Sequence, residues 1–380
     1  MYKVASEKIR ILYCMETIAS GGVEQRRLFL AQWLDKNRYE IKIVCTNSFG
    51  YLANELEREG VEIFTVGSFS HPFHIGKYQK VIRIIREFKP HIIHGAVFEG
   101  MSMASIGGIF GKVPIKIIEE TSDPQTRSKK AIYLQMLFSI VSDKVIAISP
   151  SVLRYLNSKV RISKNKFILI NNGVRVPEIS KDDEIERLRK DLGIKKDDII
   201  VGSVGRVYDD IKRYSDLIHA IGLLNSKKVK FLLVGKGPDL EKLKQQISSL
   251  GLIEQFISVG YQDRPYLYYG LMDFFCITSA HEGFGLVAAE AMLNRLPVIA
   301  TRVGGLQDIV KDGETGFLVP PFSPDQIAEK LKILIEDTEL RKSMGEKGYE
   351  RAIVNYTAER YCQEVENLYL QLLKEKKLIS

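Results

Sequence analysis

The sequence predicts an α/β protein built from two doubly wound, Rossmann-like domains, and three observations carry that prediction. Apolar, β-like runs alternate with amphipathic stretches along the whole chain, as in parallel sheets covered by helices on both faces. At 380 residues the chain is long for a single core. A polar stretch from Arg175 to Asp183, containing Pro177 and a run of charges, interrupts the alternation near its middle and reads as a hinge.

In the first half, strands are expected at 9–14, 41–46, 62–66, 91–96, 116–120, 144–149 and 167–171. Between them, residues 24–34, 78–88, 131–141 and 150–157 have the spacing of amphipathic helices. The second half repeats the plan, with strands at 199–204, 230–234, 256–259, 274–278, 298–300 and 317–319. The stretch 357–378 is amphipathic, with Tyr361, Val365, Leu368 and Leu372 on one face. No strand follows it, so it must pack on an existing surface. The expected organisation is therefore domains at 1–175 and 176–355 and a final helix at 356–380.

A hydrophobic content of 45% with 27% charged residues suits a globular protein, and no apolar run is long enough to span a bilayer. Charges at Lys3, Glu7, Lys8 and Arg10 interrupt any apolar signal core at the N-terminus. Cys14, Cys45, Cys276 and Cys362 are scattered, and three lie in apolar runs, which favours buried thiols over disulfides or zinc ligands. A cytoplasmic location is expected. The net charge of +8 is uneven: residues 1–175 hold 26 Lys+Arg against 15 Asp+Glu, whereas the remainder is slightly acidic. A basic first half suits an anionic partner or a merely solvated face, and nucleic acid has only the charge in its favour.

Glu282 and Glu290 bracket the most informative segment, Glu282-Gly283-Phe284-Gly285-Leu286-Val287-Ala288-Ala289-Glu290. Its place after one apolar run and before another reads as strand, glycine loop, helix, strand. Glu282 then lies at a strand's carboxyl end and Glu290 on the helix. The N–H groups of Gly285, Leu286 and Val287 would point out of a helix N-terminus, which favours phosphate. Carboxylates on either side of an anion site suit a ligand with both hydroxyls and phosphates, such as a nucleotide sugar.

Other loops at the strand ends fit the same ligand. Gly21-Gly22-Val23-Glu24 runs from the first strand into a helix, and Gly205-Arg206 ends a strand with Lys212 six residues on. Arg and Lys there would neutralise a diphosphate. Gly235-Lys236-Gly237-Pro238 resembles the opening of a dinucleotide fingerprint but has Leu240 in place of the third glycine, so a nicotinamide cofactor is disfavoured. Gly304-Gly305 is a further glycine pair after a strand. No Asp-x-Asp triplet occurs, and the histidines show no zinc-type spacing, so no metal is expected. His94 ends a strand and could face the cleft between two such domains.

In order and spacing, these pieces, with Asn172-Gly173-Val174, the run Pro297 to Thr301 and Gly316 to Val319, resemble the retaining glycosyltransferases of family 4. The resemblance covers nearly the whole chain and is strongest from Gly202 to Pro320. It implies the GT-B fold: two Rossmann-like domains facing across a cleft, with a C-terminal helix crossing back to the first. It implies a metal-independent hexosyltransferase with no cofactor, using a UDP- or GDP-sugar donor and a saccharide or lipid-linked saccharide acceptor. Glu282 would bind the donor sugar and Glu290 the ribose, with Arg206 and Lys212 on the diphosphate. Gly283, Phe284, Gly285, Leu286 and Val287 would pass beside sugar and phosphates, near Gly205. Gly21 and Gly22 would close from the opposite domain.

One departure stands out. Many family members carry a histidine after the fifth strand of the first domain, where this chain reads Glu119-Glu120-Thr121-Ser122-Asp123. Asp123 or Glu120 would serve the acceptor hydroxyl instead, with Glu24, Ser122 and His94 as further acceptor contacts. Two basic–apolar patches, one over 77–89 and one running from Arg127, Lys129 and Lys130 into Ile132, Tyr133, Leu134 and Met136, suit peripheral contact with an anionic membrane. A nucleotide-sugar epimerase, a sugar phosphorylase and a non-catalytic nucleotide-sugar-binding protein are the rival readings.

Overall fold

The computed structural model describes residues 8–19, 21–69, 74–178 and 182–379. The chain forms two compact units. The first runs to Gly173 and takes back the residues from Ala358 onward; the second is Val174–Thr357.

The first unit runs β1 (Ile9–Ile18), α1 (Gly22–Trp33), β2 (Tyr39–Ser48), α2 (Tyr51–Arg58), β3 (Glu62–Thr65), α3 (Ile75–Phe88) and β4 (Ile92–Ala96). A helix follows in three parts, α4 (Val97–Ser102), a π-helical stretch at Met103–Gly107 and α5 (Gly108–Phe110). Then come β5 (Ile115–Glu120), α6 (Lys129–Val141), β6 (Lys144–Ala147), α7 (Pro150–Lys159) and β7 (Phe167–Leu169). All seven strands are parallel, in the order β3-β2-β1-β4-β5-β6-β7. β1 is buried over most of its length, as both faces of a parallel strand must be. Every expected strand is present. The π-containing helix was not anticipated, because its glycines lower helix propensity.

α17 (Ala358–Glu375) belongs to this unit. Its apolar face, Tyr361, Val365, Leu368 and Leu372, is buried in one cluster with Ile11, Tyr13 and Leu30. Beneath the helix lies a network no periodicity could reveal. Arg27 donates to Glu119 at 2.5 Å and to the Tyr361 hydroxyl at 3.4 Å. His94 Nδ1 lies 2.7 Å from the Tyr369 hydroxyl, which donates to Tyr13 at 3.1 Å. Burial works against charge on Glu119, but Arg27, His94 and Arg26 together outweigh it and hold the carboxyl far below the usual range. Burial, with help from Arg27, lowers His94 to about 4.

The second unit runs α8 (Asp182–Asp191), β8 (Ile199–Val204), α9 (Asp209–Lys212), α10 (Tyr214–Leu224), β9 (Val229–Val234), α11 (Leu240–Ser249) and β10 (Phe256–Gly260). It continues with α12 (Tyr266–Tyr269), β11 (Phe274–Ile277), α13 (Leu286–Leu293), β12 (Val298–Thr301), α14 (Leu306–Ile309) and β13 (Gly316–Val319). α15 (Pro324–Glu336) and α16 (Thr338–Asn355) close it. The sheet is parallel with order β10-β9-β8-β11-β12-β13, so the winding reverses between β8 and β11. In open α/β sheets that switch point, at the carboxyl ends of the strands, is where ligands bind. Of the stretch read as a hinge, residues 175–178 are non-helical and Asp182 and Asp183 open α8, while 179–181 lie outside the described residues.

The four cysteines are buried free thiols. Among the described residues no helix is long and apolar enough to cross a membrane.

Candidate active site

The loops that follow β8 and β11 meet at the switch point of the second unit. After β8, Gly205-Arg206-Val207 lies against the Gly235-Lys236-Gly237 turn after β9, with Val207 N–H donating to the Lys236 carbonyl at 3.0 Å. A Cβ on Gly235 would sit 1.8 Å from the Gly205 carbonyl oxygen, so this glycine serves backbone packing. Arg206 is exposed, and among the described residues it makes no ion pair.

α9 then returns the chain to β11. The Thr278 hydroxyl donates to the carbonyls of Lys212 and Arg213 at 3.0 and 2.9 Å, and Ala280 N–H donates to Ile211 at 2.8 Å. These bonds fix Lys212 beside the loop after β11, where its Nζ lies 2.6 Å from Glu282 Oε2. Both side chains keep partial exposure, 24% and 18%. The two residues that the sequence assigned to diphosphate and sugar are thus in direct contact.

Gly304 and Gly305 brace the Glu282 loop from behind. Gly305 N–H donates to the Glu282 carbonyl at 3.0 Å. A Cβ on Gly304, whose φ is +44°, would lie 1.7 Å from that carbonyl oxygen. Phe284 is buried and meets Tyr356 edge-on at 5.6 Å, so this residue offers the site its backbone and not its ring. Gly285, at φ +106°, caps α13, and the N–H groups of Leu286 and Val287 open its first turn with no intrahelical acceptor. One turn on, Glu290 accepts a hydrogen bond from the Tyr269 hydroxyl at 2.8 Å. Burial raises the Glu290 carboxyl above its ordinary value, and the Tyr269 bond opposes that rise. Tyr214 is buried, and burial, with the charge of Glu282, raises its hydroxyl well above the usual phenol range.

The residues expected to touch the acceptor are all in the first unit, and three of them need correction. His94 is wholly buried under α17, bonded to Tyr369 and 3.4 Å from Glu119, so it cannot meet a ligand in this structure. Glu24 folds back on its own loop, its carboxylate accepting from Ala19 N–H at 3.3 Å; it is 8% exposed. It shapes the turn that places Gly21 and Gly22 at the start of α1. Glu120 is also taken: it is buried, paired with Arg127 at 2.6 Å and bonded to Gln135 at 2.6 Å. Ser122 is exposed and donates to Glu120 at 2.8 Å. Asp123 keeps intermediate exposure and caps the short turn at Pro124–Thr126, accepting from Gln125 N–H at 3.1 Å. Of the acids between Glu119 and Asp123, Asp123 alone keeps an accessible side chain. Val97, directly after β4, has φ +64°, an unusual conformation for a β-branched residue at the switch point of the first sheet.

Known proteins place the chain. The family described as glycosyl transferases group 1 matches residues 184–351, and glycosyltransferase family 4 matches residues 20–176. The chain belongs to this glycosyltransferase family and has the GT-B fold. It is 28% identical over 237 residues to an N-acetyl-alpha-D-glucosaminyl L-malate synthase of Bacillus anthracis, covering 62% of this chain and 61% of that protein. It is 28% identical over 311 residues to the capsular polysaccharide biosynthesis glycosyltransferase CapM of Staphylococcus aureus, covering 78% and 80%. Among solved structures, Anabaena HepE in complex with UDP-glucose superposes with a TM-score of 0.85 at 21% identity, over 95% of this chain and 99% of that one.

Proposed function

We propose that this chain is a retaining, metal-independent hexosyltransferase that moves a sugar from a UDP- or GDP-sugar to a saccharide or lipid-linked saccharide acceptor during cell-surface polysaccharide assembly. The observation that carries the reading is the contact between Lys212 and Glu282 beside the open first turn of α13, with Glu290 on the same helix. One compact loop–helix unit offers a cation, N–H donors and two carboxylates, which are the groups that diphosphate, sugar and ribose require.

The chemistry follows from charge. The bond between the anomeric carbon and the β-phosphate oxygen breaks with its electrons leaving on the phosphate. Lys212, Arg206 and the N–H groups of Leu286 and Val287 offset that charge as it grows; one such donor contributes about 2.7–4 kcal/mol to lowering the barrier. Glu282 orients the sugar through its hydroxyls. The acceptor hydroxyl attacks from the face the phosphate leaves, and its proton passes to the departing phosphate oxygen. Configuration at the anomeric carbon is thereby kept without a protein nucleophile. Asp123 is the residue that orients the acceptor hydroxyl.

The reading extends to a cytoplasmic enzyme in peripheral contact with the inner membrane face. α3 buries Val81, Ile84, Ile85 and Phe88 in its own unit, and Lys77 donates to the Val66 carbonyl at 2.7 Å, which leaves Ile75 as the large apolar side chain it exposes. α6 differs: Tyr133, Leu137 and Ile140 stay exposed, and Lys129 and Lys130 stand at its start. Lys129, Lys130 and these three side chains are the anionic-lipid contact in this proposal.

The test is transfer from a panel of UDP- and GDP-sugars to membrane-lipid acceptors in EDTA, with the product linkage read by NMR. A product with the donor's anomeric configuration supports the proposal. Inverted configuration, or activity only with added divalent metal, overturns it.

A further inference from the structure

Tyr269 ends α12, outside every motif that the family resemblance assigns, yet its hydroxyl reaches the carboxylate of Glu290. The tyrosine is 2% exposed, and its ring packs on Phe275 of β11 with centroids 5.7 Å apart. Its position is therefore set by the sheet and not by solvent. Glu290 itself keeps intermediate exposure. Only Oε2 has a hydrogen-bond partner among the described residues; Oε1 has none.

We infer that Tyr269 is a positioning residue for nucleotide recognition: it holds one oxygen of Glu290 so that the other is free to accept from the ribose hydroxyls of the donor. The inference rests on the proposed nucleotide-sugar reading of the site. A phenol suits this task better than a lysine or arginine would. It restrains the carboxylate through one hydrogen bond without neutralising it, so the full negative charge remains for charge-assisted bonds to the ribose. The contact also lies one turn from the N–H groups of Leu286 and Val287. Diphosphate and ribose recognition are thus referred to a single helix whose side the tyrosine fixes.

Tyr269→Phe removes only the hydroxyl and keeps the ring in the core. The binding of UDP, GDP and their 2′-deoxy counterparts is measured by calorimetry for wild type and variant, between pH 5 and 8. Wild type should bind one of the two ribonucleotides at least several-fold more tightly than its deoxy form. In the variant, affinity for that ribonucleotide should fall about 10-fold. The ribo/deoxy ratio should collapse toward one, and KM for the donor should rise with kcat little changed. Because the lost bond favours ionised Glu290, the acid limb of binding should also move to higher pH in the variant. A Glu290→Gln protein should show no such shift on adding Tyr269→Phe.

A lowered melting temperature with an unchanged ribo/deoxy ratio and an unmoved acid limb would reduce Tyr269 to a packing residue and overturn the inference alone. If wild type binds neither UDP nor GDP, the nucleotide-sugar reading fails and the inference fails with it.

Discussion

Lys212 and Glu282 are joined by a 2.6 Å ion pair at the carboxyl edge of the second sheet. The cation proposed for the diphosphate is therefore partly neutralised by the acid proposed for the sugar until a donor arrives. Glu282→Gln should release Lys212 and tighten binding of the free nucleoside diphosphate about 3-fold, the modest value suited to a partly exposed pair. The same change should lower kcat/KM for transfer by 10²-fold or more. Lys212→Ala should weaken both. Calorimetry and steady-state assays on the two variants check the opposite signs.

Gly304 tests the brace behind that loop. At φ +44°, with a Cβ position 1.7 Å from the Glu282 carbonyl oxygen, Gly304→Ala forces the Glu282 backbone to move. Donor binding should fall below detection, and stability should drop by about 1–3 kcal/mol in urea melts. Gly313 is the control. It also has positive φ, but a Cβ there meets nothing within 4 Å. Gly313→Ala should cost about 1 kcal/mol and leave binding intact.

The network under α17 makes stability depend on pH. His94 is lowered to about 4 by burial, against 6.5 for the exposed side chain. Between those values the unfolded chain binds more protons, so this contribution is complete above pH 6.5 and is lost as pH falls toward 4. Melting temperature should decline across that window, and His94→Asn should flatten the decline. Glu119, depressed much further, adds its own loss only in stronger acid.

The sheets and the site were unequally legible in the sequence. Strands buried on both faces are continuous apolar runs, so β1, β8 and β11 could be read directly. Glu282, Glu290, Arg206 and Lys212 stood out because glycine loops after strands allow few uses. His94 was misread because its position at the end of a strand says nothing of what covers it. The cover is α17, more than 260 residues away in the chain. Tyr269 was missed for a related reason: its partner is 21 residues distant, and a tyrosine in an apolar run carries no sign of a hydroxyl bond. A buried Arg27–Glu119 pair was equally hidden, although an Arg26-Arg27 doublet on the inward face of an amphipathic helix is a clue that long-range pairing exists.

The exposed stripe on α6 gives a prediction for membranes. Wild type should float with anionic vesicles at low salt, and Leu137→Asp/Ile140→Asp should lose that binding about 10-fold or more. Activity on a water-soluble acceptor should be unchanged, since neither residue belongs to the donor site. Flotation at low and high salt with both proteins checks this.

The most direct test of the central claim is a thermal-shift titration of the wild type and Glu290→Ala with UDP- and GDP-sugars in EDTA. Ligand binding raises apparent stability by mass action. One nucleotide sugar should raise the melting temperature of the wild type by several degrees, and Glu290→Ala should abolish the shift. No shift with any of them, or an equal shift in the variant, would contradict a nucleotide-sugar site built on Lys212, Glu282 and Glu290.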